Sequence, residues 1–238
     1  MIPLILLSIL ALCLGFLPAY LILPSFIARM KAAGNVGVDV NKKGKPMVAE
    51  SGGMVAVMSF SIAMFAIAGI ASISNVEEQI VLPLQAASSV FICASIIGFI
   101  DDYGLVTRRQ KAALILFAGI PLVFLRPVAS ILELPFISLD FTHYTLFGFH
   151  VTYILFWLVI VPFGVMAAGY NGLESGIPII SSAAMVIVLL IKGHDTGAAV
   201  IFMGLIGASA ALYVFNRYPA KVFVGRRRPS AQTTCGSS

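Results

Sequence analysis

Two adjacent carboxylates, Asp101 and Asp102, close an uncharged stretch, IVLPLQAASSVFICASIIGFI, whose length and apolarity suit lipid. If that stretch is a helix, its C-terminal end carries partial negative charge, and acids there are mildly unfavourable. The two anions also repel each other, so a cation is expected beside them, whether from the protein, a metal or a substrate. A hard divalent ion such as Mg²⁺ takes oxygen ligands and commonly shares them with substrate phosphates. Alternatively, one member of the pair takes a proton from an acidic nucleophile, because a neighbouring anion favours its protonated form. Lys111, nine residues after Asp102, offers positive charge to a phosphate. Asn171-Gly172 sits with Gly169 and Gly176 in a turn-forming cluster, where amides and exposed backbone grip polar ligands. Glu50 precedes Ser51-Gly52-Gly53 and is expected at the start of a helix, where the dipole favours an acid. Each signal has a plainer reading beside it: a solvated interface for the aspartates, a helix cap for Glu50, a topological anchor for Lys111.

These residues need elements to hold them, and composition says which kind. The 238-residue chain is 60% hydrophobic and 11% charged, whereas soluble domains are about a quarter charged. The expected class is an all-α polytopic membrane protein. Seven stretches approach the roughly 20 apolar residues that a crossing needs: 2–27, 54–73, 80–100, 112–132, 151–168, 177–191 and 197–215. The first has no basic residue before it and no small-residue cleavage site after it, so it reads as a retained helix rather than a signal peptide. Cys13, Cys93 and Cys235 lie far apart with no metal-type spacing, which argues against a disulfide framework or a zinc site.

The net charge of +5 is a matter of topology rather than of nucleic-acid binding. If all seven stretches span, only Arg126 and Lys192 of the fifteen basic residues fall on one side. The positive-inside rule makes the basic side cytoplasmic and places the N-terminus outside, as expected for a multi-pass protein of the cell (plasma) membrane. On the outer side, LPFISLDFTHYTLFGFHV alternates apolar and polar residues about Thr142-His143; this predicts a small β-hairpin, with an irregular interfacial loop as the alternative. His143, His150 and His194 also fall outside and receive no role.

Four polar, glycine-bearing stretches share the cytoplasmic side: KGKPMVAESGG (43–53), GFIDDYGLVTRRQK (98–111), AAGYNGLESG (167–176) and FNRYPAKVFVG (215–225). Concentration of acids, amides and glycines on one face predicts a site at the inner interface. The order K-P-x-x-x-E-S-G-G, G-F-x-D-D with a lysine nine residues on, A-G-Y-N-G-L-E-x-G and F-N-x-Y-P-x-x-V-F-V-G resembles the polyprenol-phosphate N-acetylhexosamine-1-phosphate transferases, glycosyltransferase family 4. The PMVAES and AGYNGLESG forms look most like the archaeal and eukaryotic branch that makes dolichyl-linked N-acetylglucosamine for protein glycosylation. The resemblance implies transfer of N-acetylglucosamine-1-phosphate, or a related sugar phosphate, from a UDP-sugar to a polyprenyl or dolichyl phosphate at the cytoplasmic face, with Mg²⁺ (or Mn²⁺) and release of UMP. It implies Asp101 and Asp102 as the acidic pair for acceptor deprotonation and metal organisation, Lys111 as a phosphate contact, and Glu50, Asn171 and Gly172 as parts of the nucleotide pocket. A homodimer is carried as a further expectation.

The chain departs from the family at two expected metal ligands. Val165 stands where an asparagine is usual six positions before Asn171, and Arg226 stands where an aspartate follows V-F-V-G. A cation in place of an anion opposes Mg²⁺, so the expectation is an incomplete transferase domain over 1–225 with little activity. The polar tail 226–238, RRRPSAQTTCGSS, reads either as the product of a one-base frame shift, since arginine codons read one base later can encode aspartate after Gly225, or as a basic anchor for anionic lipid. Two further readings stay open at this point, an inactive relative and a membrane transporter or assembly protein. No segment carries a mid-helix charge of the kind transport would favour.

Overall fold

The computed structural model describes residues 4–39, 44–74, 78–102, 106–118, 131–134, 137–140, 145–146, 149–150, 173–192 and 197–225. Among them are six helices: α1 (Leu4–Ala32), α2 (Gly53–Ile73), α3 (Glu78–Asp102), α4 (Arg108–Ala118), α5 (Leu173–Lys192) and α6 (Gly197–Asn216). All but α4 are long and apolar enough to cross a membrane, so the polytopic, mainly helical class expected from composition holds. Five such helices are seen among the described residues. The expected fourth span is described only to Ala118, and the fifth, 151–168, lies outside the described residues, as do Val165, Arg226 and the tail.

α6 is the hub and packs against α1, α2, α3 and α5. Lipid tails are as apolar as leucine side chains, so such helices associate by close backbone approach. A Cβ on Gly15 would sit 2.5 Å from the Gly204 carbonyl oxygen, and one on Gly207 would overlap the Leu12 carbonyl. Glycine is therefore required where α1 crosses α6. Pro18 removes one ladder hydrogen bond from α1, and the hydroxyl of Ser59 on α2 enters the gap. It donates to the Gly15 carbonyl at 2.7 Å, with the Leu14 carbonyl at 3.4 Å, and accepts from the Ala19 amide at 3.2 Å. A helix break facing lipid would leave these groups unpaired; here a neighbouring helix satisfies them.

Several boundaries differ from the sequence expectation. α1 continues past residue 27 to Ala32, so Arg29 and Lys31 lie in its last turn, where cations complement the dipole. α4 starts at Arg108 rather than 112 because Thr107 and Gln110 form a capping box: the Thr107 amide donates to Gln110 Oε1 at 2.9 Å, and the Gln110 amide donates to Thr107 Oγ1 at 3.4 Å. α5 starts at Leu173 rather than 177, which brings Glu174 into its first turn.

The loop expected over 28–53 contains two short strands. β1 (Val36–Val38) pairs antiparallel with β2 (Met47–Ala49), with Gly37 opposite Val48. The expected outer hairpin is instead two hairpins. β3 (Ile131–Leu134) pairs with β4 (Ile137–Asp140), and β5 (Thr145–Leu146) with β6 (Phe149–His150). The expected turn at Thr142-His143 lies outside the described residues. The alternation of apolar residues does not reveal this division into two pairs.

Candidate functional site

Segment 47–53 turns sharply after β2. Ser51 takes a left-handed backbone conformation, φ 63°, which costs a residue with a Cβ some energy. The reversal turns Gly52 and Gly53 against the segment that follows α6. Phe223 N donates to the Ala49 carbonyl at 2.8 Å, Gly52 N to the Phe223 carbonyl at 2.8 Å, and Gly53 N to the Val224 carbonyl at 2.9 Å. Ala49 and Val222 form a parallel bridge. A Cβ on Gly52 would lie 2.5 Å from Val222 Cγ2, and one on Gly53 2.8 Å from Val224 Cγ1. The double glycine thus exists for backbone-to-backbone approach between two motifs far apart in sequence.

Asn216, the last residue of α6, extends this arrangement. Its Nδ2 donates to the Val222 carbonyl at 2.8 Å, and its Oδ1 accepts from the Ser175 hydroxyl at 3.1 Å. Sequence reasoning gave neither residue a role; the available signal was an amide ending an otherwise apolar helix. Ser175 belongs to the first turn of α5, next to Glu174, where a helix N-terminus favours negative charge.

These segments enclose a cavity of about 310 Å³. Each of the four polar stretches contributes to its wall: Ser51 and Gly53, Gly98 and Phe99, Glu174 and Ser175, and Val224 and Gly225. From this end the cavity runs inward along α2 from Gly53 to Phe60, about 10 Å of helix. Phe60 and Phe91, with ring centroids 4.6 Å apart, meet at its inner end.

Of the expected site residues, Glu50 and Asp101 lie near this cavity without lining it. Asp101 is half-buried near the C-terminal end of α3, three residues beyond Gly98 of the cavity wall and so on the same helix face. Asp102 is the last residue of α3, and Lys111 lies at the end of the first turn of α4 rather than in a loop. Glu50 is not a helix cap. The N-cap of α2 is Gly52, with no side-chain capping bond. Glu50 is instead 4% exposed, its amide donates to the Asn35 carbonyl at 3.2 Å, and its carboxylate lies directly over Gly37. Asn171 and Gly172 lie outside the described residues, immediately before α5. Asp39, which sequence reasoning passed over, is fully buried at the end of β1.

No three His, Cys, Asp or Glu side chains among the described residues converge on a metal-sized site. Mg²⁺ is commonly held by one or two carboxylates together with substrate phosphates and water. Asp101, near the end of a cavity-wall helix, carries a hard oxygen donor of that kind.

The model of glycosyl transferase family 4 matches residues 84–227. The chain belongs to glycosyl transferase family 4. This is the family that the order of motifs suggested. Over 231 residues the family 4 chain is 29% identical to a protein of Saccharolobus solfataricus provisionally named UDP-N-acetylglucosamine–dolichyl-phosphate N-acetylglucosaminephosphotransferase, covering 93% of the chain and 66% of the relative. A protein of the same provisional name in Sulfolobus acidocaldarius is 27% identical over 227 residues, 91% of the chain and 65% of the relative. The phospho-N-acetylmuramoyl-pentapeptide-transferase of Streptococcus thermophilus is 32% identical over 145 residues, covering 57% of the chain and 42% of the relative. The chain therefore spans about two-thirds of the length of these archaeal relatives.

Proposed function

We propose that this chain carries the site of a polyprenyl-phosphate sugar-1-phosphate transferase. N-acetylglucosamine-1-phosphate passes from a UDP-sugar to a polyprenyl or dolichyl phosphate at the cytoplasmic face of the plasma membrane. The observation that carries this reading is the cavity to which all four polar motifs contribute, at one end of a set of membrane-crossing helices. A lipid-borne acceptor and a water-borne donor can meet only at such a boundary. The names of the archaeal and streptococcal relatives support the same substrate classes.

In this reading an oxygen of the acceptor phosphate attacks the sugar-bearing phosphorus of the donor. A new phosphorus–oxygen bond forms, the bond to the bridging oxygen breaks, and UMP leaves with that oxygen. Such a displacement needs in-line placement and charge neutralisation more than covalent help. One of Asp101 and Asp102 holds or removes the acceptor's proton, and the pair would hold Mg²⁺ or Mn²⁺. The cation, when bound, offsets charge on the phosphates. Lys111 supplies fixed positive charge. Glu50, Asn171 and Gly172 belong to the nucleotide pocket, Glu50 as a buried support packed on Gly37 rather than as an exposed contact.

One sequence feature favours a second reading, a chain that binds donor but turns over poorly. Arg226 directly follows Gly225 of the cavity wall, and a cation there opposes a bound metal. The test is UMP release by the purified chain and by Arg226→Asp, with UDP-N-acetylglucosamine and a polyprenyl phosphate, with and without Mg²⁺. Metal-dependent release, stronger in Arg226→Asp, is expected. In that active background Asp101→Asn and Asp102→Asn should each reduce turnover about a hundredfold or more, with membrane insertion unchanged. No release from either chain, together with no retention of the UDP-sugar, defeats the transferase reading.

A further inference from the structure

Asn216 is 2% exposed and Ser175 is 2% exposed, so the bonds between them and Val222 are shielded from water. The assignment of the amide is forced. A carbonyl can only accept, so the nitrogen must face Val222 and the oxygen must face the Ser175 hydroxyl. The carbonyl of Val222 belongs to a residue with no solvent exposure, where an unpaired acceptor is costly. Beyond Val222 the same segment bonds to Ala49, Gly52 and Gly53, between and beside which lie Glu50 and Ser51. One planar group therefore connects the first turn of α5, the segment after α6 and the segment leading into α2.

We propose that Asn216 is a positioning residue, whose buried amide ties the first turn of α5 to the 222–225 segment and so keeps the Glu174 wall and the Ser51–Gly53 wall of the cavity in register. The role asks for a donor and an acceptor a fixed distance apart on one rigid group. Aspartate lacks the donor, serine is too short to bridge, and leucine matches the size without either function. The consequence for donor binding rests on the transferase reading; the clamp itself does not.

The experiment uses the full 238-residue chain in detergent, with its three native cysteines replaced by serine. Spin labels are placed at the exposed positions Met47 on β2 and Ile177 on α5, and in a separate sample at Leu21 and Val214, on α1 and α6. Asn216→Leu should broaden the 47–177 distance distribution and leave 21–214 as in the parent. Ser175→Ala should broaden 47–177 less, and Ser175→Thr, which keeps the hydroxyl, should restore it. Binding of UDP-N-acetylglucosamine should weaken about tenfold in Asn216→Leu, the scale of a buried bond lost with its partner stranded. If Asn216→Leu disturbs both pairs, the protein is generally loosened and Ser175→Ala decides. An unchanged 47–177 distribution in Ser175→Ala, or in both variants, overturns the clamp. Broadening without any change in a measurable donor affinity overturns the positioning role. A parent that retains no UDP-sugar counts against the transferase reading alone, because the distances still judge the clamp.

Discussion

Gly37 shows how a residue without chemistry can set the position of one that has it. A Cβ at this place would lie 2.5 Å from Glu50 Oε1 and 3.2 Å from Cδ, so the carboxylate occupies the space that glycine leaves free. Gly37→Ala must push it aside. We expect this change to weaken UDP-N-acetylglucosamine binding by ~tenfold in the parent and to cost little more once Glu50 is alanine, the pattern of two coupled neighbours. An equal loss in both backgrounds, measured by titration, assigns the effect to the hairpin rather than to the carboxylate. The site was partly legible at this scale. Residue types marked Asp101, Asp102 and Glu50 as chemically able, because acids beside apolar stretches are costly and need a reason. They did not reveal that Glu50 faces a strand, since neither β1 nor β2 has the length or alternation that announces a strand. Asn216 and Ser175 escaped notice because a single amide or hydroxyl carries no periodic signal.

The helices were the most readable elements, because a run of about 20 apolar residues has few alternatives to spanning lipid. Their ends were less so. The capping box at Thr107 and Gln110 was written in the sequence but concealed by the basic residues between them, which read as loop. The crossing of α1 and α6 was not foreseen, although Gly15, Gly204 and Gly207 were visible; which glycines meet depends on helix rotation, which hydropathy does not fix. Its weight can be measured with a matched pair. Gly207→Ala places a methyl group on the Leu12 carbonyl, backbone that cannot swing away, whereas a Cβ on Gly69 of α2 meets nothing within 4 Å. Both gain helix propensity. Gly207→Ala should still cost about 1–3 kcal/mol and lower Tm by several degrees, while Gly69→Ala should be neutral or slightly stabilising. Equal melting temperatures for the two variants would remove close packing at this crossing as a source of stability.

For the molecule as a whole, segregation of basic residues fixes the orientation we propose. With native cysteines removed, single cysteines at the exposed positions Lys45, Thr107 and Arg217 should be shielded from an impermeant maleimide in intact cells and become reactive on lysis. Cysteines at Glu77 or His194 should react from outside. Ser175 is a poor reporter, since its burial would shield it from either side. Labelling of Thr107 in intact cells would put the aspartate end of α3 on the wrong face for a cytosolic UDP-sugar. The alliance of Ala49 with Val222 has a further consequence, for the order in which the protein is made. α1 leaves the ribosome early, but its Gly15 face lacks its α6 partner until that helix follows, a wait of roughly ten to thirty seconds at usual synthesis rates. Throughout that interval Gly52 and Gly53 lack the segment whose carbonyls accept their amides. The wall around Gly52 and Gly53 therefore assembles only after α6 has emerged, and a nascent chain halted before that point should be a prime target for membrane quality control.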